Sequence, residues 1–291
     1  MKRRWVVALT MAVTLLFAAA VPAGWLPRQE PVPGGVAWVD LGPATGEMPR
    51  AFLGTDRVMV LRQSGAWLAI VGLPLTLSPG EHELMVLDSA DRMSMHRFTV
   101  QSKEYGAQHI TLKNSRMVEP NKTDLARIAR DQTEIVDAFT HWSDPETPLG
   151  LFQLPVNGRV SGVFGTRRFF NEQERAPHNG LDIAAPRGTA VMAPAPGVVI
   201  GIGNYFFNGR TIFIDHGRGL ISMYNHLNRT AVSVGTKVMR GQRIGDVGMS
   251  GRATGPHLHW AISLNNTRID PLLFVPEESV KQLAQHGDKS N

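Results

Sequence analysis

The chain contains no cysteine. That excludes disulfides, thiolate metal sites and a lipidated N-terminal cysteine, while leaving the redox compartment open. Long apolar runs are also missing: past the first two dozen residues, no stretch is long and apolar enough to cross a membrane. Sustained helical periodicity is scarce. Instead 29 glycines and 19 prolines punctuate short apolar runs, which points to a mainly β fold. There is no internal repeat, no low-complexity segment and no aromatic-and-basic recognition motif, so nucleic acid is not an expected partner. With 43% hydrophobic and 19% charged residues in 291, the composition is that of a globular protein of one large or two ordinary domains.

The chain opens with "MKRRWVVALTMAVTLLFAAAVPAG". Three basic residues (Lys2, Arg3, Arg4) precede an apolar stretch, and Ala18, Ala20 and Ala23 follow with cleavage-site spacing. Residues 1–23 therefore read as a Sec-type signal peptide, with an uncleaved anchor as the alternative. Either way the remainder is expected outside the cytoplasmic membrane, in the periplasm or envelope, touching membrane only through this segment. The charge beyond it is uneven: residues 24–150 carry a net −4 and residues 151–275 a net +7. A basic half on an exported chain suits a carboxylate-rich partner.

Residues 24–35, "GWLPRQEPVPGG", form a Pro/Gly linker. Over 36–114, short runs such as "VAWVDL", "RVMVLR", "HELMVL" and "HITL" alternate with turn signals. They predict a small β-sandwich-like N-terminal domain. Residues 115–150 change period, with Leu125, Ile128, Ile135, Val136 and Phe139 near helical spacing, and predict a helical linker. Residues 151–275 return to strand character and form the expected second domain; residues 276–291 are read as a tail.

The second domain holds the chemistry. "GPHLHW" places His257 and His259 two apart, on one face if the run is a strand. "HNGLD" places His178 and Asp182 four apart, and Asn179-Gly180 with Pro186 argue against a helix there. In extended chain His178 and Asp182 also share a face and can meet His259 from another strand. Two imidazoles and a carboxylate suit one Zn²⁺ with an open position for water. His257, not needed as a ligand, is free to act as base, and His226 in "MYNHL" is a further candidate. A cupin would also use His-x-His, but it would want a nearby Glu, and no acid follows until Asp270.

"HNGLD", "YNHL" and "GPHLHW", in that order and with flanks "GVFGTR" and "APRGTAVMAPAPGVV", resemble the signature of the lysostaphin-type (LytM-like) zinc metallopeptidases over roughly residues 155–273. The resemblance implies His178, Asp182 and His259 as ligands of one zinc per chain, with His257 and His226 as the non-ligand catalytic pair, His257 as base and His226 stabilising the oxyanion. It implies an antiparallel β-sheet metallopeptidase domain with an open groove. The implied activity is hydrolysis of peptide bonds in peptidoglycan stem peptides and cross-links, by D,D-endopeptidase or carboxypeptidase action. The alternative is a LytM-like scaffold that binds wall or activates an amidase without catalysis. Asp215 and His216 are expected to be structural, while Arg187 and Arg252 are candidates for holding stem-peptide carboxylates.

Overall fold

The computed structural model describes residues 26–144, 150 and 152–288. The export segment expected over 1–23 lies outside the described residues. Among the described residues, no helix is long and apolar enough to cross a membrane.

Six strands come first: β1 (Val36–Pro43), β2 (Arg50–Leu53), β3 (Asp56–Gln63), β4 (Ala66–Gly72), β5 (Gly80–Leu87) and β6 (Met93–Val100). They form one antiparallel sheet in the order β1-β4-β3-β2-β5-β6, and β1 comes back into contact with β6. Alternation decides its faces. Val58 and Val60 of β3 join a core with Ala37, Val39, Ala69, Val71 and Leu84, whereas Met59 and Leu61 point the other way. That second face packs on the C-terminal half, where Met59, Leu61, Ile70 and Val36 share a core with Leu264 and Ile269. Gly72 sits at the seam. A Cβ there would lie 2.8 Å from the Leu264 carbonyl oxygen, and the Asn265 side chain exchanges hydrogen bonds with both backbone groups of Gly72.

The next strand, β7 (Ala107–Ile110), leaves that sheet. It pairs in parallel with β9 (Arg167–Phe170), which also pairs with β10 (Gln173–Arg175). "HITL", read from sequence as part of the N-terminal β region, thus supplies the last two residues of β7, His109 and Ile110, outside that sheet.

Helix α1 (Lys122–Thr140) opens on a capping box. Asn121 accepts from the Asp124 N–H at 2.9 Å, and the Asp124 carboxylate accepts from the Asn121 N–H. Of the apolar positions read from its period, Ile135 and Phe139 are buried, but Leu125 and Val136 are exposed. The apolar contact is confined to the C-terminal half, where Ile135 and Phe139 meet Tyr205, Phe213, Ile221 and Met223. The N-terminal half, with Leu125, touches Asn204 and Phe206 through Arg127 and Asp131 instead, and Val136 is turned away from the face that carries Ile135. Burying Phe139 there stabilises by about 2–3 kcal/mol.

The principal sheet is built from β8 (Arg159–Gly162), β11 (Leu181–Ala184), β13 (Gly197–Tyr205), β14 (Gly209–Asp215), β15 (Ile221–Leu227), β17 (Lys237–Val238), β19 (His257–Leu264) and β20 (Thr267–Ile269). Its order is β17-β13-β14-β15-β19-β11-β8, with β20 on β19 and every pairing antiparallel. Three short strands, β12 (Ala190–Met192), β16 (Arg229–Thr230) and β18 (Arg243–Asp246), make a separate sheet. Pro194 and Pro196 separate β12 from β13 within one apolar run of sequence. Beyond Val275 the expected tail contains helix α2 (Glu277–Asp288), which buries Leu283 and packs Val280 on the main core.

Candidate active site

Strands β11 and β19 are neighbours, and their register sets Asp182 directly opposite His259. Period-2 alternation then sorts the side chains. Leu181, Ile183, Leu258 and Trp260 enter the main core, while Asp182, His257 and His259 line a cavity of about 270 Å³ on the other side. His178 lies just before β11. Its N–H donates to the Thr166 carbonyl and its own carbonyl accepts from the Gly165 N–H, so the loop between β8 and β9 holds it in place.

His178, Asp182 and His259 are all buried, and one ligand atom from each lies within 4.8 Å of the others. His178 Nε2 is 3.0 Å from both Asp182 Oδ1 and His259 Nδ1, and His259 Nδ1 is 2.7 Å from Asp182 Oδ1. The protons do not suffice for this convergence. His178 Nδ1 faces the Val163 carbonyl at 2.8 Å and must donate to it, which leaves only a lone pair on Nε2 of the neutral ring. Three acceptors therefore meet with at most one hydrogen among them, an arrangement that a cation satisfies and that fits the N/O donor set preferred by Zn²⁺. Burial pushes the Asp182 carboxyl up, while protons on His178 and His259 would outweigh this and hold it well below the usual range; a bound cation would supply the same positive charge without those protons. Burial takes His259 down to about 4, against the pull of Asp182.

Arg168, from β9, donates to the other oxygen of Asp182 and so fixes which oxygen faces the histidines. Sequence reading missed it. The signal was the second arginine of "GTRR", one residue past the quoted flank.

His226 and His257 stand beside this trio with ring centroids 4.7 Å apart, and His226 is 6.1 Å from His259. Each is anchored through Nδ1, His226 on the Ser250 carbonyl and His257 on the Gly255 carbonyl, both at 2.8 Å. The anchors leave both Nε2 atoms uncommitted, and His257 Nε2 is 3.9 Å from Asp182 Oδ1. His226 adopts a left-handed backbone (φ 61°), uncommon for a residue with a side chain and a cost that a tightly determined site can bear. Burial, with His257 and His259 adding to it, takes His226 down to about 3. It is neutral at pH 7, and its Nε2 accepts rather than donates. The oxyanion-stabilising role expected for it would first require it to gain a proton.

The other candidates lie elsewhere. His216 is buried against the Pro196 carbonyl and the Ser222 hydroxyl, and Asp215 binds Ser143 and the Gly217 N–H. Arg187 reaches Asn228 instead of the cavity, whereas Arg252 does line it. One wall was not foreseen: Gln108, Ile110 and Leu112, in and just after β7, face the same cavity as Phe170 and Phe207.

Residues 176–271 match the sequence profile of peptidase family M23, and residues 29–103 match the profile of the M23 N-terminal domain. The chain is similar to a Pseudomonas aeruginosa protein of known crystal structure assigned to peptidase M23. The two are 43% identical with a TM-score of 0.71, over 85% of this chain and 96% of that one. It is also similar to peptidoglycan DD-endopeptidase ShyA of Vibrio cholerae (41% identical over 123 residues) and to DD-carboxypeptidase/endopeptidase Mpg of Neisseria meningitidis (38% over 117). Those alignments take in 41% and 40% of this chain but only 29% and 27% of the two curated relatives.

Proposed function

This chain belongs to peptidase family M23, and on that premise we propose that it hydrolyses peptide bonds of bacterial peptidoglycan outside the cytoplasmic membrane. We assign it D,D-endopeptidase action on cross-links before carboxypeptidase action. The observation that carries the reading is the convergence of His178 Nε2, Asp182 Oδ1 and His259 Nδ1 beside two carbonyl-anchored histidines in an open cavity.

Those three atoms would hold one Zn²⁺. Bound there, the metal supplies Lewis acidity, making water acidic enough to ionise near neutral pH and polarising a carbonyl. The remaining work falls to the protein. His257 accepts the attacking water's proton at Nε2 and returns it to the leaving amine, while its Nδ1–H stays on the Gly255 carbonyl. His226, neutral and fixed by Ser250, positions the water through its Nε2 lone pair. Arg168 keeps Asp182 oriented. The +7 balance of residues 151–275 draws in a substrate rich in carboxylates.

The test is digestion of purified sacculi with zinc-loaded protein, followed by mass spectrometry of the released muropeptides. The expected products are cross-linked dimers cut to monomers, lost on chelation or in His178→Ala and regained by the wild type on adding zinc. Fully metal-loaded, folded protein that leaves every peptide bond intact would overturn the reading.

A further inference from the structure

Arg252 occupies an unusual position in the cavity wall. Its guanidinium carbon lies 4.5 Å from the ring centroid of Phe170 and 4.2 Å from that of Phe207, so two aromatic rings lie against it. Its backbone N–H donates to the Phe207 carbonyl at 2.8 Å, which fixes the base of the side chain. Among the described residues no carboxylate pairs with it. Its single side-chain hydrogen bond is a long one, 3.4 Å to the Met117 carbonyl. Neighbouring arginines are committed: Arg168 to Asp182, Arg167 to Glu174, and Arg175 to Gln173 and the Val118 carbonyl. Half-buried, stacked and unpaired, Arg252 carries the cost of partial desolvation with no compensating anion in the protein.

We propose that Arg252 is a receptor for a free carboxylate of the substrate, seated in the same cavity as the metal trio and selecting stem peptides that carry an acid over those that carry an amide. The inference deepens the peptidase reading and rests on it for the identity of the substrate. The geometry suits the task. Contact with two rings and the backbone bond to Phe207 restrict the guanidinium, so its donors meet a planar carboxylate with less ordering left to lose. A carboxylate accepts two parallel N–H bonds from such an edge, whereas a carboxamide offers one acceptor and sets its NH2 against the other donor. Burial, with Arg168 and Arg175 adding to it, takes the Arg252 pKa down to about 10, still charged at neutral pH. The same two arginines add positive potential to that wall.

The test uses the whole chain and two probes, an uncross-linked stem tripeptide with a free side-chain carboxylate and the same peptide as the carboxamide. Binding is measured calorimetrically, so no turnover is needed. The wild type should bind the acid about 10- to 100-fold more tightly than the amide. Arg252→Gln should bring that ratio close to one, and Arg252→Lys, which keeps the charge but not the fork, should retain only part of it. If Arg252→Gln does not fold, Phe207→Leu replaces it and must cut the ratio several-fold. A purely structural arginine would lower the melting temperature and leave the ratio intact. An unchanged ratio in the variants, or equal binding of both probes by the wild type, overturns the proposal. Acid selectivity without cleavage of any muropeptide would sink the peptidase reading and keep the receptor; cleavage with no selectivity would do the reverse.

Discussion

Gly180→Ala should damage the proposed metal trio without replacing any of its members. A Cβ on residue 180 would lie 2.6 Å from the Trp260 carbonyl oxygen, 2.7 Å from His259 Nε2 and 2.8 Å from His259 Cε1. Ordinary contacts start near 3.4 Å, so something must move by several tenths of an ångström. The carbonyl belongs to the β11–β19 ladder, where Leu181 faces Trp260. The imidazole is therefore the softer neighbour, and its Nδ1 sits 2.7 Å from Asp182 Oδ1. Overpacking of this kind costs about 1–3 kcal/mol, and the reduced freedom of the unfolded chain on replacing Gly returns about 0.4–1 kcal/mol. The net loss should be up to about 2.5 kcal/mol against the wild type and about 1–3 kcal/mol against another Gly→Ala variant that shares the offset. Zinc affinity should fall about 10- to 100-fold, the range expected when a ligand's support is disturbed. Urea unfolding of metal-free protein reads the first quantity, and competition with a chromophoric chelator reads the second. Gly106→Ala is the control, since a Cβ there meets nothing within 4 Å. A Gly180→Ala protein as stable as that control and with wild-type zinc affinity would refute the argument from close approach.

Arg168→Met should leave the Asp182 carboxylate short of a partner and destabilise metal-free protein by about 2–3 kcal/mol. That is below the value for a fully buried pair because the side chains retain 16% and 10% exposure; a loss under 0.5 kcal/mol in urea titrations would show the contact to be idle. His257→Ala should keep its zinc by metal analysis and lose about 10²–10⁴ in turnover, and near wild-type turnover at neutral pH would remove His257 as base. His216 is held neutral, its pKa taken down to about 4 chiefly by burial. The unfolded chain, with an ordinary value near 6.5, binds the proton first, so this contribution is complete above pH 6.5 and is lost as pH falls toward 4. His216→Asn should therefore flatten the acid slope of metal-free stability by about 3 kcal/mol across that window, and an unchanged slope would contradict the assignment.

The residues of the candidate site could be singled out because each sits in a short motif on or beside a strand, where alternation alone says which side chains share a face. Asp182, His257 and His259 needed only that rule, and the β11–β19 register brings Asp182 and His259 opposite each other. In sequence Gly180 reads as a helix breaker, but its reason for being glycine is the approach of His259 and Trp260, which no local pattern encodes. Arg168, Phe170 and Phe207 were invisible for a related reason. Their roles depend on β9 and the β13–β14 turn reaching one cavity from separate parts of the chain. The apolar stripe of α1 overstated its buried face, since periodicity reports neither how much of a helix finds an apolar partner, as at Leu125, nor how wide the buried strip is, as at Val136 beside buried Ile135.

The parallel pairing of β7 with β9 has a practical consequence for anyone excising the catalytic half. A fragment that begins near residue 150 loses Ala107–Ile110, and with it the strand that covers one side of β9. The backbone groups of Arg167–Phe170 would then form a raw sheet edge, open to pairing with another molecule and prone to aggregation. The groove would also lose Gln108, Ile110 and Leu112 from its lining. Rates from such a fragment would describe a wider, stickier enzyme than the one the whole chain makes. A cut placed before residue 105 keeps the strand, its ladder and that wall.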